Sequence, residues 1–134
     1  MQFKDVRDLV CREKRYKEFQ KLAEVRMGNY FGVSLTERRI PGFPKKWDLV
    51  SEDHTIIGDA KCLSLVKRRE SPPAKLMEIS GHVWLLQETE AQIRFLVFGN
   101  QQEVPELWLR KYGQLKRTVD FYFLADDGSL SQLK

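Results

Sequence analysis

The feature that most constrains the fold is the run from Trp47 to Lys61, WDLVSEDHTIIGDAK. Apolar stretches on either side of a polar, turn-like segment predict a β-hairpin. The run also places charged side chains, Asp48, Asp59 and Lys61, among residues that are otherwise apolar or small. Burying a carboxylate or an ammonium costs several kcal/mol unless something compensates the charge. A divalent metal would compensate the two carboxylates, and a phosphate group would compensate the lysine.

Asp59-Ala60-Lys61 is the only acid-x-Lys triplet in the chain. Side chains alternate between the two faces of a strand, so Asp59 and Lys61 share one face. Gly58 and Ala60 share the other face, which suits close packing against a helix. The alternative is an ordinary hairpin whose acid and lysine face water or form an ion pair.

The pairing of the two strands decides whether Asp48 joins the charged face. With the turn at residues 51–54, Val50 pairs with Thr55, and Asp48 then stands opposite Ile57, one diagonal step from Asp59. The three charged groups of the run would converge on one side of the hairpin. A loop one residue longer or shorter would send Asp48 to the other face.

The acid, the spacer and the acid-x-Lys triplet together resemble the PD-(D/E)XK nuclease superfamily, which includes restriction enzymes, Holliday-junction resolvases and repair nucleases. In that pattern an acid at a strand start precedes an acid-x-Lys triplet in an apolar strand. This chain has Asp48, ten intervening residues, and then Asp59-Ala60-Lys61. Trp47 stands where the superfamily usually has a proline.

The resemblance spans roughly Tyr16 to Leu124. It implies an α/β fold with a restriction-endonuclease-like three-layer α/β/α core, in which helices flank a central mixed β-sheet. The 134 residues are expected to form a single domain, residues 1–134. Trp84 and Trp108 stand among apolar neighbours and are predicted to lie in the core. Local patterns predict the same order of elements, with a helix over the first thirty residues before the hairpin. After the hairpin they predict a helix to about Thr89, a strand over Gln92–Phe98, a helix over Val104–Tyr112 and a strand over Thr118–Leu124.

The resemblance also implies a metal site in the hairpin. Asp48 and Asp59 would bind Mg²⁺ or Mn²⁺, which prefer oxygen ligands, and the backbone carbonyl of Ala60 would add a ligand. Lys61 would hold the attacking water or stabilise charge on the phosphate, since its point charge and adjustable pKa fit either role.

The superfamily carries a further acid on a preceding helix. On a helical wheel Glu24 borders the apolar stripe and is the candidate, with an ordinary boundary glutamate as the alternative; Glu18 falls on the solvated side. Gln20 lies one turn earlier on the same row and is a supporting candidate. On the second helix Glu78 and His82 lie four apart and face the same way. They do not match the Gln-x-x-x-Tyr pair of the RecB-like branch, and an ordinary helix-surface pair is the alternative.

The charge distribution indicates a polyanionic partner. The formal net charge is +4, and basic groups that flank the hairpin would supply phosphate contacts independent of base sequence. These groups are Arg38-Arg39, Lys45-Lys46 and Lys67-Arg68-Arg69. DNA is the expected partner, with RNA as an alternative. A homodimer, which would let the protein cut both strands, fits the compact size of the chain.

These features favour an Mg²⁺-dependent endonuclease with weak sequence specificity or structure-selective cleavage. Three alternatives remain: a Holliday-junction-resolvase-like enzyme, a catalytically inactive nucleic-acid-binding module on the same fold, and a protein-interaction domain with a structural ion pair. No apolar run approaches the length of a membrane span, and no secretory signal is visible. Cys11 and Cys62 are not in a metal-ligand spacing, so free thiols in a reducing cytoplasm are expected.

Overall fold

The computed structural model of the chain describes the backbone of residues 2–62 and 72–134, and the side chains of residues 15–62 and 73–134. This part of the chain is an α/β structure, as predicted, and its elements follow the expected order. The helices are α1 (Gln2–Phe31), α2 (Pro72–Gln87) and α3 (Glu103–Tyr112), with a 3₁₀ turn at Gly113–Lys116. The strands are β1 (Thr36–Arg39), β2 (Lys46–Val50), β3 (Ile56–Cys62), β4 (Ile93–Gly99), β5 (Val119–Leu124) and β6 (Leu130–Leu133).

The six strands form one mixed sheet in which they stand in chain order, with β1 and β6 at the edges. The three central strands β3, β4 and β5 are parallel to one another. The pairs β1–β2, β2–β3 and β5–β6 are antiparallel. Parallel neighbours need a long crossover connection, and α2 and α3 supply the two crossovers.

Apolar side chains cover both faces of this sheet. On one face, Ala23 and Met27 of α1 pack in a cluster with Ala60 of β3. On the other face, Ile79 of α2 and Trp108 of α3 pack in a second cluster with residues of β3, β4 and β5. The prediction that the Gly58 and Ala60 face packs against a helix is therefore confirmed, since α1 lies there.

The tryptophans of α2 and α3 differ in their surroundings. Trp108 is buried, as predicted, and its indole N–H donates to Oγ of Ser80 at 2.9 Å. The prediction for Trp84 is wrong, because 63% of this residue is exposed. Val83 takes the buried position, and the next residue of an amphipathic helix points about 100° away from it.

The hairpin formed by β2 and β3 has a different register from the predicted one. Val50 pairs with Ile57 and not with Thr55, so the pairing is shifted by two residues. The predicted contact of Asp48 with Ile57 is therefore wrong, and the shift brings Asp48 level with Asp59 instead. Because the shift is an even number of residues, Val50 is still paired with a residue of the predicted face of β3.

Side chains of the connecting loop explain the shift. The carboxylate of Asp53 accepts hydrogen bonds from the Ser51 hydroxyl at 2.8 Å and from the Thr55 hydroxyl at 2.7 Å. His54 between them adopts a left-handed φ of 63°. These contacts hold Thr55 in the loop, and the amide of Ser51 closes the turn by donating to the carbonyl of Ile56 at 3.0 Å.

Gly58 is required by the close approach of its neighbour on β4. A Cβ at Gly58 would clash with the ring of Phe95, which is fully buried. We expect Gly58→Ala to lower the free energy of unfolding by about 1–3 kcal/mol, as overpacking does. Urea denaturation measures this change.

Gly81 in the middle of α2 provides the matched control. A Cβ there would meet nothing within 4 Å. Gly81→Ala should therefore stabilise the protein by about 0.5–1 kcal/mol through helix propensity. Equal destabilisation by both substitutions would contradict the packing argument.

Candidate functional site

The site lies where the backbone pairing of β2 and β3 ends, beyond the pair Leu49–Gly58. From this point, side chains replace carbonyl groups as hydrogen-bond acceptors. The backbone N–H of Asp48 donates to Oδ1 of Asp59 at 2.9 Å, and the backbone N–H of Ala60 donates to Oδ2 of Asp48 at 3.1 Å. We call this arrangement the fork. Each carboxylate is thereby fixed to the backbone of the opposite strand.

A β-bulge coincides with the fork. Thr36 of β1 pairs with Val50, but Arg38 pairs with Trp47, so β2 holds one more residue than β1 over this stretch. The bulge explains why Trp47 and Val50 pack in the same core cluster although they are three residues apart. Bulges re-aim side chains and are frequent near active sites. Here the extra residue falls at or next to Asp48.

Asp59 is the more deeply buried acid of the fork, with 2% of its side chain exposed. Nζ of Lys45 lies 2.5 Å from its Oδ2 and 4.1 Å from the centre of the Trp47 ring. Nδ1 of His82 lies 3.3 Å from the same oxygen. Burial alone would raise the pKa of Asp59, but the hydrogen bonds with His82 and Lys45 outweigh it and hold the pKa below its ordinary value. Asp59 is therefore a carboxylate at neutral pH.

The pKa of Asp48 is shifted in the opposite direction from that of Asp59. Burial, followed by the neighbouring charge of Asp59, raises its pKa to about 7. The hydroxyl of Tyr16 on α1 lies 3.1 Å from the carbonyl of Ala60, to which it donates, and 3.4 Å from Oδ2 of Asp48. Burial and then the charge of Asp48 raise the pKa of the Tyr16 hydroxyl, so it remains a donor. The fork thus holds two close carboxyl groups that resist carrying two negative charges.

Lys61 follows Asp59 on the same face of β3 and is half-buried. Within the part of the chain that the structure describes, its ammonium makes no hydrogen bond or ion pair. Burial lowers the pKa of Lys61, although the charges of Asp59 and Glu78 act in the opposite direction. A partly dehydrated ammonium beside two carboxylates is suited to contact a phosphate or a water molecule.

The donor set of the fork fits a hard divalent ion. It offers the carboxylates of Asp48 and Asp59 and the carbonyl of Ala60. Over residues 15–62 and 73–134, no three side chains of Asp, Glu, His or Cys are grouped so as to hold a metal ion. Mg²⁺ nevertheless commonly uses only one or two protein carboxylates, with water and substrate phosphate completing its ligands. A divalent ion would also relieve the repulsion that raises the pKa of Asp48.

Helix α1 brings Tyr16, and not the predicted glutamate, into contact with the fork. Glu24 is half-buried two turns further on, and burial followed by the charge of Glu37 raises its pKa. Gln20 is also directed to β1, where its amide donates to the carboxylate of Glu37 at 3.5 Å. Glu18 is exposed, as predicted.

Helix α2 contributes His82 and Glu78 in different ways. His82 contacts the fork through Asp59, as described above. Glu78 is exposed and lies 4.0 Å from the ammonium of Lys75. Its charge still acts on Lys61, so this acid lies within electrostatic reach of the site.

Of the remaining predicted phosphate contacts, Arg38 and Arg39 lie on the edge strand β1, and Lys46 begins β2. Lys46 is half-exposed and pairs with Glu37 at 3.3 Å. Arg39 is exposed, whereas Arg38 is half-buried, and its Nε has no hydrogen-bond partner among the described residues. The third basic group lies outside the described residues: Lys67, Arg68 and Arg69.

A scan against protein-family models, a search of curated proteins and a search of solved structures each found no significant match. None of the helices, over the part of the chain that is described, is long and apolar enough to cross a membrane. Cys62 is a free thiol, as predicted, and the side chain of Cys11 lies outside the described residues.

Proposed function

We propose that this chain is a metal-dependent nuclease that hydrolyses phosphodiester bonds in DNA, on the three-layer α/β/α core of the PD-(D/E)XK superfamily. The observation that carries the proposal is the fork, where Asp48 of β2 lies together with Asp59 and the Ala60 carbonyl of β3. Lys61 follows Asp59 by two residues, and no described side chain pairs with its ammonium. Helices on both faces of a mixed sheet support the proposed core.

In this proposal Asp48, Asp59 and the carbonyl of Ala60 hold Mg²⁺ or Mn²⁺. When bound, the ion supplies positive charge that stabilises the charge developing on the phosphate. Asp59 is already ionised at neutral pH, because Lys45 and His82 stabilise its charge. Asp48 must release its proton as the ion binds, since its pKa lies near 7 without a metal.

Lys61 orients the attacking water or stabilises charge on the phosphate. Its ammonium is partly dehydrated, which strengthens its interaction with an anion compared with a fully exposed lysine. Two exposed basic side chains, Arg39 on the edge strand β1 and Lys46 at the start of β2, would contact the phosphate backbone without reading the sequence. These contacts favour weakly specific or structure-selective cleavage.

The test is cleavage of plasmid, single-stranded and branched DNA with Mg²⁺, Mn²⁺ or EDTA. We expect the wild-type protein to cut at least one of these substrates with metal and none with EDTA. Asp59→Asn, purified in the same way, should not cut. Cutting by this variant at the wild-type rate would identify a contaminating nuclease. No cutting by the wild type, together with no rise in melting temperature on adding Mn²⁺, would contradict the proposal.

The ion pair between Lys45 and Asp59 favours a second candidate, an inactive nucleic-acid-binding module on the same fold. In that case the pair, with 2.5 Å between the charged atoms, is a permanent structural contact. Such a module would bind DNA equally well in EDTA and in Mn²⁺, and its affinity would fall with salt. Gel-shift titrations over a salt series in both buffers distinguish it from the nuclease.

A further inference from the structure

The ammonium of Lys45 lies against the carboxylate of Asp59, one of the two acids of the fork. Its ammonium contacts Oδ2 of Asp59 at 2.5 Å, Nδ1 of His82 at 3.5 Å and the face of Trp47 at 4.1 Å. Of these groups, Asp59 is also a proposed metal ligand. An ammonium and a divalent ion cannot both lie against the same carboxylate oxygen at these distances without strong repulsion.

We infer that Lys45 is a built-in cation that closes the metal site, and that it leaves Asp59 when a metal and a DNA phosphate bind. The inference rests on the proposed function and concerns the regulation of the same site. Metal and DNA then favour each other's binding, because the phosphate offers the displaced ammonium a new anionic partner.

The position of Lys45 in the chain allows this movement. It stands immediately before β2, so rotation of its side chain does not break strand pairing. About a quarter of the side chain, 23%, is exposed, whereas Asp59 is almost completely buried. The long, flexible stem of a lysine can therefore carry the ammonium towards solvent while its apolar part stays packed.

The ring of Trp47 helps to hold the ammonium of Lys45 against Asp59. Trp47 is fully buried, so its ring is a fixed surface beside the carboxylate. A cation over the face of an indole ring is attracted by the negative charge density of that face, and the attraction is stronger when the cation is dehydrated. This contact adds to the ion pair and opposes release of Asp59 until a stronger cation competes for it.

Isothermal titration of the full chain with Mn²⁺ tests the inference. We expect Lys45→Met to bind Mn²⁺ about tenfold more tightly than the wild type, which corresponds to about 1.4 kcal/mol. Lys46→Met is the matched control, because Lys46 is the next residue but pairs with Glu37. Its Mn²⁺ affinity should equal that of the wild type.

A second titration tests the coupling with a short DNA duplex. Lys61→Met provides a background in which the duplex is cut only slowly. The duplex should raise the Mn²⁺ affinity of Lys61→Met by a larger factor than that of the double variant Lys45→Met/Lys61→Met, since coupling between two ligands is reciprocal. Lys45→Gln, which keeps a hydrogen-bond donor, replaces Lys45→Met if the unpaired Asp59 prevents folding.

The outcomes separate the inference from the proposed function. Tighter Mn²⁺ binding by Lys45→Met, or binding by this variant alone, supports the inference. Equal or weaker binding by Lys45→Met, with clear binding by the wild type, overturns the inference and leaves the nuclease proposal intact. If neither protein binds Mn²⁺, the proposed function fails and the inference fails with it.

Discussion

Lys61→Met is expected to lower the rate of metal-dependent DNA cleavage by a factor of about 10²–10⁴, the contribution typical of a group that assists proton transfer. Its ammonium lies two residues beyond Asp59 on the same face of β3, and no described side chain pairs with it. Mn²⁺ affinity should not fall, because the proposed ligands are all retained. Single-turnover cleavage and calorimetric titration measure the two quantities separately.

Loss of folding would not explain such a result. Lys61 carries a charge that burial disfavours, so removing it should leave the melting temperature unchanged or raise it. Lys111→Met removes an exposed lysine of α3 that has no part in the proposal, and it should cut at close to the wild-type rate. A Lys61→Met protein that cuts as fast as the wild type would assign the chemistry to another group.

Without metal, the free energy of unfolding is expected to fall as the pH rises from about 4 to about 7. The pKa of Asp48 is raised from its ordinary 3.8 to about 7 in the folded protein. Between these values the folded protein binds more protons than the unfolded chain, so stability decreases with rising pH. A shift of one unit corresponds to about 1.4 kcal/mol, which gives a loss of up to about 4 kcal/mol.

Titration of Asp59 changes the free energy of unfolding in the opposite direction and at lower pH. Its pKa is below the ordinary value in the folded protein, so its contribution is present above pH 3.8 and is lost as the pH falls through the folded pKa. Together, the two acids stabilise the folded protein most near pH 4. Saturating Mn²⁺ should remove the decline towards pH 7, because the ion replaces the proton on Asp48.

Thermal or urea denaturation from pH 4 to pH 8, in EDTA and in Mn²⁺, measures this dependence. Asp48→Asn is the control, since an amide does not titrate and its profile in EDTA should lack the decline. If the wild type and Asp48→Asn show the same slope in EDTA, another group is responsible.

The sequence predicted the elements of the fold because their signals are local. Apolar periodicity placed the helices and strands, and alternation in β3 correctly separated the face of Asp59 from that of Gly58. The register of the hairpin is not local in this sense. It depends on the hydrogen bonds of Asp53 with Ser51 and Thr55, which decide where the loop ends. The alternation of apolar and polar side chains indicates which face of a strand each residue occupies. It does not distinguish two registers that differ by two residues, because both place the same side chains on each face.

The candidate site was predicted unevenly for a similar reason. The spacing of Asp48 and Asp59 indicated that they lie close together, and the structure brings them into contact. The helical wheel selected Glu24, but the contact with the fork is made by Tyr16, eight residues earlier. Eight residues span about 12 Å along a helix, so which residue of α1 contacts the fork depends on where the helix crosses the sheet. The wheel contains no information about that position.

Lys45 illustrates the limit of charge patterns. In the sequence, Lys45 and Lys46 together indicate a basic pair on the surface. In the fold, Lys45 pairs with the buried Asp59, whereas Lys46 pairs with Glu37. The bulge in β2 likewise has no sequence signal, since neither glycine nor proline marks it.

The fork also affects how such a chain could lose the proposed activity during evolution. Asp48 and Asp59 each complete a backbone hydrogen bond of the opposite strand, so replacing either acid weakens the sheet as well as the proposed chemistry. No hydrogen bond among the described residues depends on the side chain of Lys61. A lineage released from selection for cleavage would therefore lose the lysine first and keep both acids. Two retained acids without the lysine would mark a descendant that still folds but no longer cuts.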